Sequence, residues 1–180
     1  MSRLARAVPL VVVLTAATAA WALPGHPTRP IVAQTPADAD RILGRWYEIL
    51  RTPNTLQKNC FGAYQVWTRK RGGFSVQQVC HRDSPTGKVA QVTASAKPLN
   101  GDNTLFDTSI FGGLIHRKYM LADHAPDYSW LIATTADGRY PKLLFRSPSM
   151  PPSEEAALRQ RMARIGFDMT RLEDCGEQPG

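Results

Sequence analysis

The sequence predicts an all-β fold, an eight-stranded antiparallel up-and-down β-barrel with one C-terminal helix packed outside it. From Arg45 onward, short runs rich in Val, Ile, Thr, Tyr, Phe and Trp alternate with turn residues such as Gly, Pro, Asn and Asp. That alternation is typical of antiparallel strands, and many such strands joined by short turns favour a closed barrel. The predicted strands cover residues 45–52, 60–69, 73–81, 87–97, 103–110, 116–123, 128–135 and 140–146.

The predicted helix follows the last of these strands. Ser153 is a favourable N-cap, and Leu158, Met162 and Ile165 recur with the i, i+4, i+7 spacing of a helix that buries one face. The next residue is a glycine, which is expected to end the helix. The apolar stripe needs a partner, and the barrel wall is the simplest one. A short final strand is expected near residues 169–172.

The first 22 residues have the pattern of a secretory signal peptide. Arg3 and Arg6 precede an apolar run over residues 7–20 that ends in the small-residue pattern Ala20-Trp21-Ala22, and cleavage is expected after Ala22 or, alternatively, after Ala20. The run is shorter than the ~20 residues that a membrane-spanning helix needs. No cysteine follows it that could carry a lipid anchor. We therefore expect an exported soluble protein, periplasmic or secreted.

The rest of the chain is expected to form a linker and one domain. Residues 23–37 carry four prolines among small polar residues, and we interpret them as a loose proline-rich linker. Residues 38–180 have the usual size of a single domain with one core.

The charge of the chain indicates a solvated basic surface. Loss of Arg3 and Arg6 with the signal peptide reduces the net charge from +7 to +5. The remaining basic clusters lie in a predicted turn at residues 69–71 and on the predicted helix, which does not favour nucleic-acid binding. Weak association with anionic membrane surfaces is compatible with this charge.

Three cysteines leave the disulfide pairing open. If the second and third strands pair through the turn at residues 71–73, Cys60 and Cys80 fall within bridging distance. We favour that pair, with Cys175 free or pairing between chains. A Cys60–Cys175 bridge that ties the C-terminal tail to the barrel is the competing pairing.

The sequence lacks the motifs of common enzyme classes. There is no G-x-S-x-G elbow, P-loop, dinucleotide fingerprint or H-E-x-x-H segment, and the four histidines are scattered. Asp123 and Asp127 bracket a turn, where aspartate usually has a conformational role. Cys80 and His81 are neighbours on one strand and point to opposite faces. We therefore predict no catalytic site, no metal and no cofactor.

Three motifs carry a resemblance to a known family. Gly44-Arg45-Trp46-Tyr47 opens the β region, Asp127-Tyr128 precedes the seventh strand, and Arg146 closes the eighth. In this order and spacing they resemble the three signature blocks of the lipocalins.

The closer resemblance is to the bacterial lipocalins and apolipoprotein D. It rests on residues 44–51, on Ala63-Tyr64, on Arg146 followed by Pro148, and on residues 165–168 after the helix. The resemblance implies that Trp46 packs at the closed end of the barrel with the Arg146 guanidinium across it. Both residues would then have structural roles, and the interior would hold a small hydrophobic ligand.

The ligand-binding residues follow from strand alternation once one face is assigned. Lys142, Leu144 and Arg146 share a face, and the resemblance places Arg146 inside. Lys142 would then pair with a fatty acid carboxylate near the open mouth, unless Pro141 shifts it outward to solvent. The other residues expected to face the lumen are Tyr64, Val66, Phe74, Val76, Tyr119, Leu121, Trp130 and Ile132.

The function that this resemblance implies is binding of a fatty acid or lysophospholipid in the barrel, for transport or storage of envelope lipids. The alternatives are an enzyme of the same fold that acts on a bound lipid, and a protein-interaction module with a filled barrel. The chain would act as a monomer or homodimer. An enzyme would need a reactive cysteine or carboxylate facing the lumen.

Overall fold

The computed structural model describes residues 27–175, so the predicted signal peptide lies outside the described residues. In this part of the chain, nine strands and one α-helix are present. Their bounds are β1 Gly44–Arg51, β2 Cys60–Lys70, β3 Gly73–Arg82, β4 Val89–Pro98, β5 Leu105–Ile110, β6 Ile115–His124, β7 Trp130–Thr135, β8 Lys142–Phe145, α1 Pro152–Ile165 and β9 Glu173–Asp174.

The sheet closes into a barrel because β1 pairs along both of its edges. It runs antiparallel to β2, with Gly44 opposite Trp67, and antiparallel to β8, with Tyr47 opposite Phe145. The strands from β2 to β8 pair in sequence order. The predicted eight-stranded antiparallel up-and-down barrel with an external helix is therefore confirmed.

The antiparallel order gives the barrel two different ends. The β2–β3, β4–β5 and β6–β7 turns lie at the end where β1 begins, which we call the closed end. The connections from β1 to β2, β3 to β4, β5 to β6 and β7 to β8 lie at the opposite end, the open end. The second set includes the longest connection and two short 3-10 turns, at Thr55–Gln57 and Phe111–Gly113.

Aromatic side chains fill the closed end. Trp67, Phe74 and Phe106 meet edge to face, with ring centroids 5.6–5.9 Å apart, a geometry that adds to the gain from burial. Trp46 lies beside this cluster without solvent exposure. Its indole Nε1 donates a hydrogen bond to the carbonyl of Ile42 at 2.8 Å.

Arg146 covers the closed end, as the resemblance implies. Its guanidinium carbon lies 3.5 Å from the centre of the Trp46 ring. The guanidinium also donates hydrogen bonds to the carbonyls of Arg41, Leu43 and Arg45 at 2.6–3.0 Å. One side chain therefore seals the core and satisfies the backbone of the segment that leads into β1.

The helix packs against the outside of the barrel. Leu158, Met162 and Ile165 are buried together with Ile132 and Leu143. Gly166 has φ of +118° and ends the helix as predicted. The start differs from the prediction, because Pro151 is the N-cap, Pro152 opens the first turn and Ser153 lies inside it. A proline is favourable there, since the first helical N–H groups have no partner within the helix.

Two other expectations differ from the structure. The described part of the predicted linker, residues 27–37, lies along the barrel and the helix, where Thr28 N–H donates to the Gly166 carbonyl at 3.0 Å and Ile31 is buried. The predicted strand at 169–172 is wrong. Residues Met169–Arg171 form a 3-10 turn, and the strand that pairs with β1 is β9, two residues farther on.

The disulfide joins Cys60 and Cys80 across β2 and β3. Cys60 lies opposite Arg82 in the ladder, which places it near Cys80 as the predicted turn requires. The favoured pairing is confirmed, and the competing Cys60–Cys175 bridge is wrong. Cys175 is a buried free thiol.

Replacement of Arg146 by Ala is expected to lower the free energy of unfolding by about 2–4 kcal/mol. The reason is loss of the contact with Trp46 and of several charge-assisted hydrogen bonds to carbonyls. Urea denaturation followed by tryptophan fluorescence measures the change. Arg71→Ala, in the exposed β2–β3 turn, is the control and should change it little. Equal stability of the two variants would contradict the role given to Arg146.

Candidate functional site

A cavity of about 730 Å³ lies inside the barrel and opens at its open end. Pockets of roughly 300–1,000 Å³ are typical of small-molecule binding sites. All eight barrel strands except β1 contribute lining residues, together with both 3-10 turns at the open end. The cavity is therefore the candidate functional site of the described chain.

The floor and one wall of the cavity are apolar. Leu121, Leu131 and Leu144 form the floor with the rings of Trp67 and Phe106. Above them, the wall made by β3, β4 and β5 is lined mainly by small and aliphatic side chains. Those side chains are Val76, Ala90, Val92, Ala94 and Ile110.

A buried carboxylate lies behind the opposite wall. Glu48 on β1 is fully buried and accepts a hydrogen bond from Lys142 Nζ on β8 at 2.5 Å. Gln57 Nε2 donates to the other carboxylate oxygen at 2.6 Å, and Gln65 Nε2 donates at 3.2 Å to the oxygen that Lys142 contacts. Lys142, Gln57 and Gln65 all line the cavity. A charged pair with two amide partners thus occupies the middle of the barrel.

The two glutamines are themselves held in place. Trp67 Nε1 donates to the Gln65 side-chain oxygen at 3.1 Å, and Asn54 Nδ2 donates to the Gln57 side-chain oxygen at 2.7 Å. With their oxygens engaged in this way, both amides direct an N–H toward Glu48. The carboxylate is therefore fixed by a connected polar network rather than by a single partner.

A second ion pair lies behind the first. Arg51 Nη1 lies 3.7 Å from a Glu48 carboxylate oxygen, and Arg51 Nε donates to Glu173 at 2.9 Å. Arg51 Nη2 also donates to the Cys60 carbonyl at 2.9 Å. Two cations and two carboxylates lie together, so the cluster is neutral overall.

The charges of the central pair stabilise each other. Burial acts to raise the pKa of Glu48, but Lys142, Arg51 and Gln57 outweigh it, and the pKa of Glu48 is lowered. Burial acts to lower the pKa of Lys142, but Glu48 outweighs it, and the pKa of Lys142 is raised. Both groups are therefore charged at neutral pH.

The rim of the cavity combines exposed apolar side chains with two arginines. Leu56, Phe111 and Tyr140 line the opening and are 40–53% exposed. Arg82 and Arg117 also line it. Arg82 donates to the carbonyls of the neighbouring 3-10 segment. No acidic side chain lines the cavity in the described part of the chain.

Half of the residues predicted to bind ligand line the cavity. These are Val76, Tyr119, Leu121, Lys142 and Leu144. Phe74 is buried in the aromatic cluster of the closed end and does not line the cavity. Lys142 faces inward, so the alternative in which Pro141 turns it to solvent is wrong. Its ammonium is already paired with Glu48.

The predicted inward orientation is wrong for the other four residues. In β7, Leu131, Ala133 and Thr135 line the cavity, while Ile132 packs under the helix and Trp130 packs at its edge. Both faces of this strand are covered, so both are apolar, and the alternation of residue types does not show which face points into the barrel.

In β2 the inward side chains are Gln65 and Trp67 instead of Tyr64 and Val66. The pairing with β3 shifts register between Phe61 and Tyr64, which displaces the alternation. The inner face of this strand also carries a glutamine, because it faces the buried carboxylate. A polar residue on the inside reverses the usual pattern of apolar side chains inward.

The prediction of site residues also missed Glu48, Gln57 and Gln65. A signal for Glu48 was present, because it lies two residues after Trp46 and therefore on the same face of β1. Gln57 belongs to a loop, where alternation says nothing about direction.

The cysteines near the cavity are not in a reactive state. Cys80 lines the cavity but is in the disulfide. Cys175 is 3% exposed, and burial raises its pKa, so it is protonated at neutral pH. Among residues 27–175 there is no group of three or more His, Cys, Asp or Glu side chains arranged to hold a metal ion. None of the helices described is long and apolar enough to cross a membrane.

A closed barrel that encloses a ligand-sized cavity is typical of a class of small-molecule binding proteins. Residues 37–176 match the family model described as a lipocalin-like domain. The chain therefore belongs to the lipocalin family, whose members generally bind small hydrophobic ligands.

One relative supports this assignment over part of the chain. A protein of Acanthamoeba polyphaga mimivirus that is named as a lipocalin is 33% identical over 73 residues. The match covers 39% of this chain and 40% of that protein. The chain thus matches less than half the length of this curated relative.

Solved structures share the fold at low identity. Lobster apocrustacyanin A1 is 14% identical with a TM-score of 0.63, covering 84% of this chain and 90% of that one. Cockroach allergen Per a 4 is 18% identical with a TM-score of 0.61, covering 87% and 96%. The tryptamine complex of the amine-binding protein of Rhodnius prolixus is 15% identical with a TM-score of 0.59, covering 83% and 86%. These likenesses show the fold alone.

The Glu48→Gln variant is expected to be less stable than wild type by about 3–5 kcal/mol at pH 7, because it leaves Lys142 buried without its partner. The pKa of Glu48 is lowered in the folded state, so its stabilisation is complete above the unfolded-state pKa. It is lost as the pH falls through the folded-state value. The difference between the two proteins should therefore shrink as the pH falls below about 4. At higher pH it also depends on Lys142, because burial lowers the pKa of this ammonium once Glu48 no longer balances its charge.

Urea denaturation at a series of pH values measures this difference. The control is Glu173→Gln, because Glu173 is half-exposed and its pair with Arg51 should contribute less than about 1 kcal/mol. A Glu48→Gln difference that grows as the pH falls from about 5 to about 3 would contradict the assigned charge state of Glu48.

Proposed function

We propose that this protein is an exported, non-enzymatic carrier that holds a single-chain amphiphile, a fatty acid or a lysophospholipid, in the barrel cavity. The observation that carries the proposal is the polarity of the cavity. Its floor and one wall are apolar, its rim carries Arg82 and Arg117, and no acidic side chain lines it in the described chain. An acyl chain in the interior and an anionic head at the rim match this arrangement.

The acyl chain is assigned to the β3–β5 side of the cavity. There it contacts Val76, Ala94 and Ile110 and reaches the floor at Leu121 and Leu131. Each methylene that leaves water for such surroundings contributes about 0.8 kcal/mol. This is enough for micromolar binding of a long chain after the cost of association.

The anionic head is assigned to the rim because the interior cation is already engaged. Lys142 is bound to Glu48, whereas Arg117 lines the opening and is exposed. The pairing of Lys142 with a fatty acid carboxylate that the sequence suggested is therefore replaced by a head position near Arg117. Ligands with one chain and either a carboxylate or a phosphate head fit this position.

Export and the envelope role rest on sequence features. The signal-peptide pattern of residues 1–22 supports export, and the Cys60–Cys80 disulfide suits an oxidising compartment. The likeness of residues 44–51 and 165–168 to bacterial lipocalins and apolipoprotein D supports lipid as the cargo.

Filling part of the cavity is expected to weaken binding. Ala133 lines it and is nearly fully buried, so Ala133→Trp should weaken binding of a fluorescent fatty acid at least tenfold, by about 1.4 kcal/mol or more. The control is Val32→Trp, which places the same side chain at an exposed position outside the barrel. Native mass spectrometry of the purified protein, followed by extraction, identifies any bound acyl species. Failure of wild type to bind either amphiphile would overturn the proposal.

We also propose that the rim makes weak contact with anionic lipid surfaces, from which the protein takes up its ligand. Nine large apolar side chains are exposed in the described chain, and seven of them lie at the open end, with Leu114 the most exposed at 85%. Basic side chains surround them, while Asp83 and Asp137 are the acidic residues of these loops. The seven are Leu56, Phe61, Val89, Phe111, Leu114, Ile115 and Tyr140.

Leu114→Asp is expected to reduce co-sedimentation with phosphatidylglycerol vesicles at least about threefold, because it removes the apolar tip and adds a repelled charge. The control is Leu99→Asp at the closed end, where the leucine is also exposed. Equal losses in the two variants would show that the contact is nonspecific and would contradict docking by the rim.

A further inference from the structure

Lys142 is the interior cation of the cavity. Of the three basic residues that line the cavity in the described chain, Arg82 and Arg117 lie at the rim, while Lys142 lies on β8 just two residues from Leu144 in the floor. The Lys142 side chain is 10% exposed. Without a partner, an ammonium at this depth would attract the carboxylate of any amphiphile that enters.

Glu48 removes that attraction. Its carboxylate is fixed against Lys142 by Gln57 and Gln65, so it cannot move away to admit a competing anion. A ligand carboxylate that reached Lys142 would have to lie beside this fully buried negative charge. Like charges in a desolvated site repel each other strongly, because solvent screening is weak there.

We infer that Glu48 determines the orientation of the bound amphiphile: by pairing with Lys142 it excludes ligand carboxylates from the interior and selects ligands that enter chain first, with the head at the rim. The inference rests on the proposed function, since it concerns the same cavity. It makes Glu48 a specificity-determining residue that acts on the ligand through Lys142. On this inference one site can accept both large phosphate heads and small carboxylates, because both would remain outside.

The test compares palmitate with its methyl ester, which has the same chain and no charge. In wild type, the two should bind with similar affinity, and any preference for the acid should weaken with salt because Arg117 is exposed. In Glu48→Gln, the acid should gain at least about tenfold over the ester, and salt should change that preference little, because a charge-assisted hydrogen bond forms in a buried site. Isothermal titration calorimetry measures both ratios.

Two further variants isolate the cause. Glu48→Gln combined with Lys142→Met removes both charges and should return the acid-to-ester ratio to the wild-type value. Glu173→Gln changes a nearby carboxylate that contacts Arg51 and not Lys142 in the described contacts, so its ratio should equal that of wild type. A gain that persists in the double variant, or that appears in Glu173→Gln, would overturn the inference.

A second measurement needs wild type alone, in case Glu48→Gln does not fold. The carboxyl carbon of bound ¹³C-1-palmitate, followed by NMR through a pH titration, should titrate like a solvent-exposed carboxyl group. A resonance that stays ionised and does not titrate down to pH 4 would place the carboxylate against a buried cation and overturn the inference.

Failure of the inference and failure of the proposed function give different results. If wild type binds neither acid nor ester, the proposed function fails. The inference is then tested by palmitate binding to Glu48→Gln, which should appear because Lys142 is no longer paired. Unchanged acid-to-ester ratios in a folded Glu48→Gln protein overturn the inference while leaving the carrier function in place.

Discussion

The pairing of β1 along both edges is the constraint on which the rest of the structure depends. Because β1 bonds to β2 and β8, every barrel strand has one face toward the lumen and one face outward. On β1 this places Trp46 and Glu48 inside, as successive inward-facing residues of the strand. Their partners come from the last strand and its end, since Lys142 begins β8 and Arg146 follows it. Barrel closure thus assembles both the seal of the closed end and the charged centre of the cavity.

The Arg146–Trp46 contact and the Glu48–Lys142 pair differ in how much the desolvation of charge costs. Arg146 is partly buried over the fully buried Trp46 ring and donates hydrogen bonds to backbone carbonyls, so these contacts offset the partial desolvation of its charge. The Glu48–Lys142 pair is buried, and the cost of desolvating two charges offsets much of their attraction. Apolar side chains of similar volume would fill that wall at least as stably. The effect specific to the pair is therefore on the cavity, which becomes polar at mid-depth while remaining neutral.

The elements that follow local rules were predictable. Gly166 ends the helix because a positive φ is required there, and Cys60 meets Cys80 because a short turn sets the register of β2 and β3. The strands were located by their composition to within a few residues. The direction of side chains in β7 was not predictable, because Ile132 faces the helix and Leu131 faces the lumen, and both surroundings are apolar. Alternation of apolar and polar residues shows the direction of side chains only where one face of the strand is exposed to solvent.

From its sequence alone, this protein is an antiparallel barrel with an outer helix, a Cys60–Cys80 pair within reach and a Trp46–Arg146 seal implied by family resemblance. Those features depend on periodicity, turn chemistry and short motifs, which are local. The tertiary structure decided which side chains reach the cavity and that Lys142 is neutralised by a residue 94 positions away in the chain. Such a contact exists only once the barrel has closed, because closure brings the first and last strands together, and no local pattern records which charges then meet.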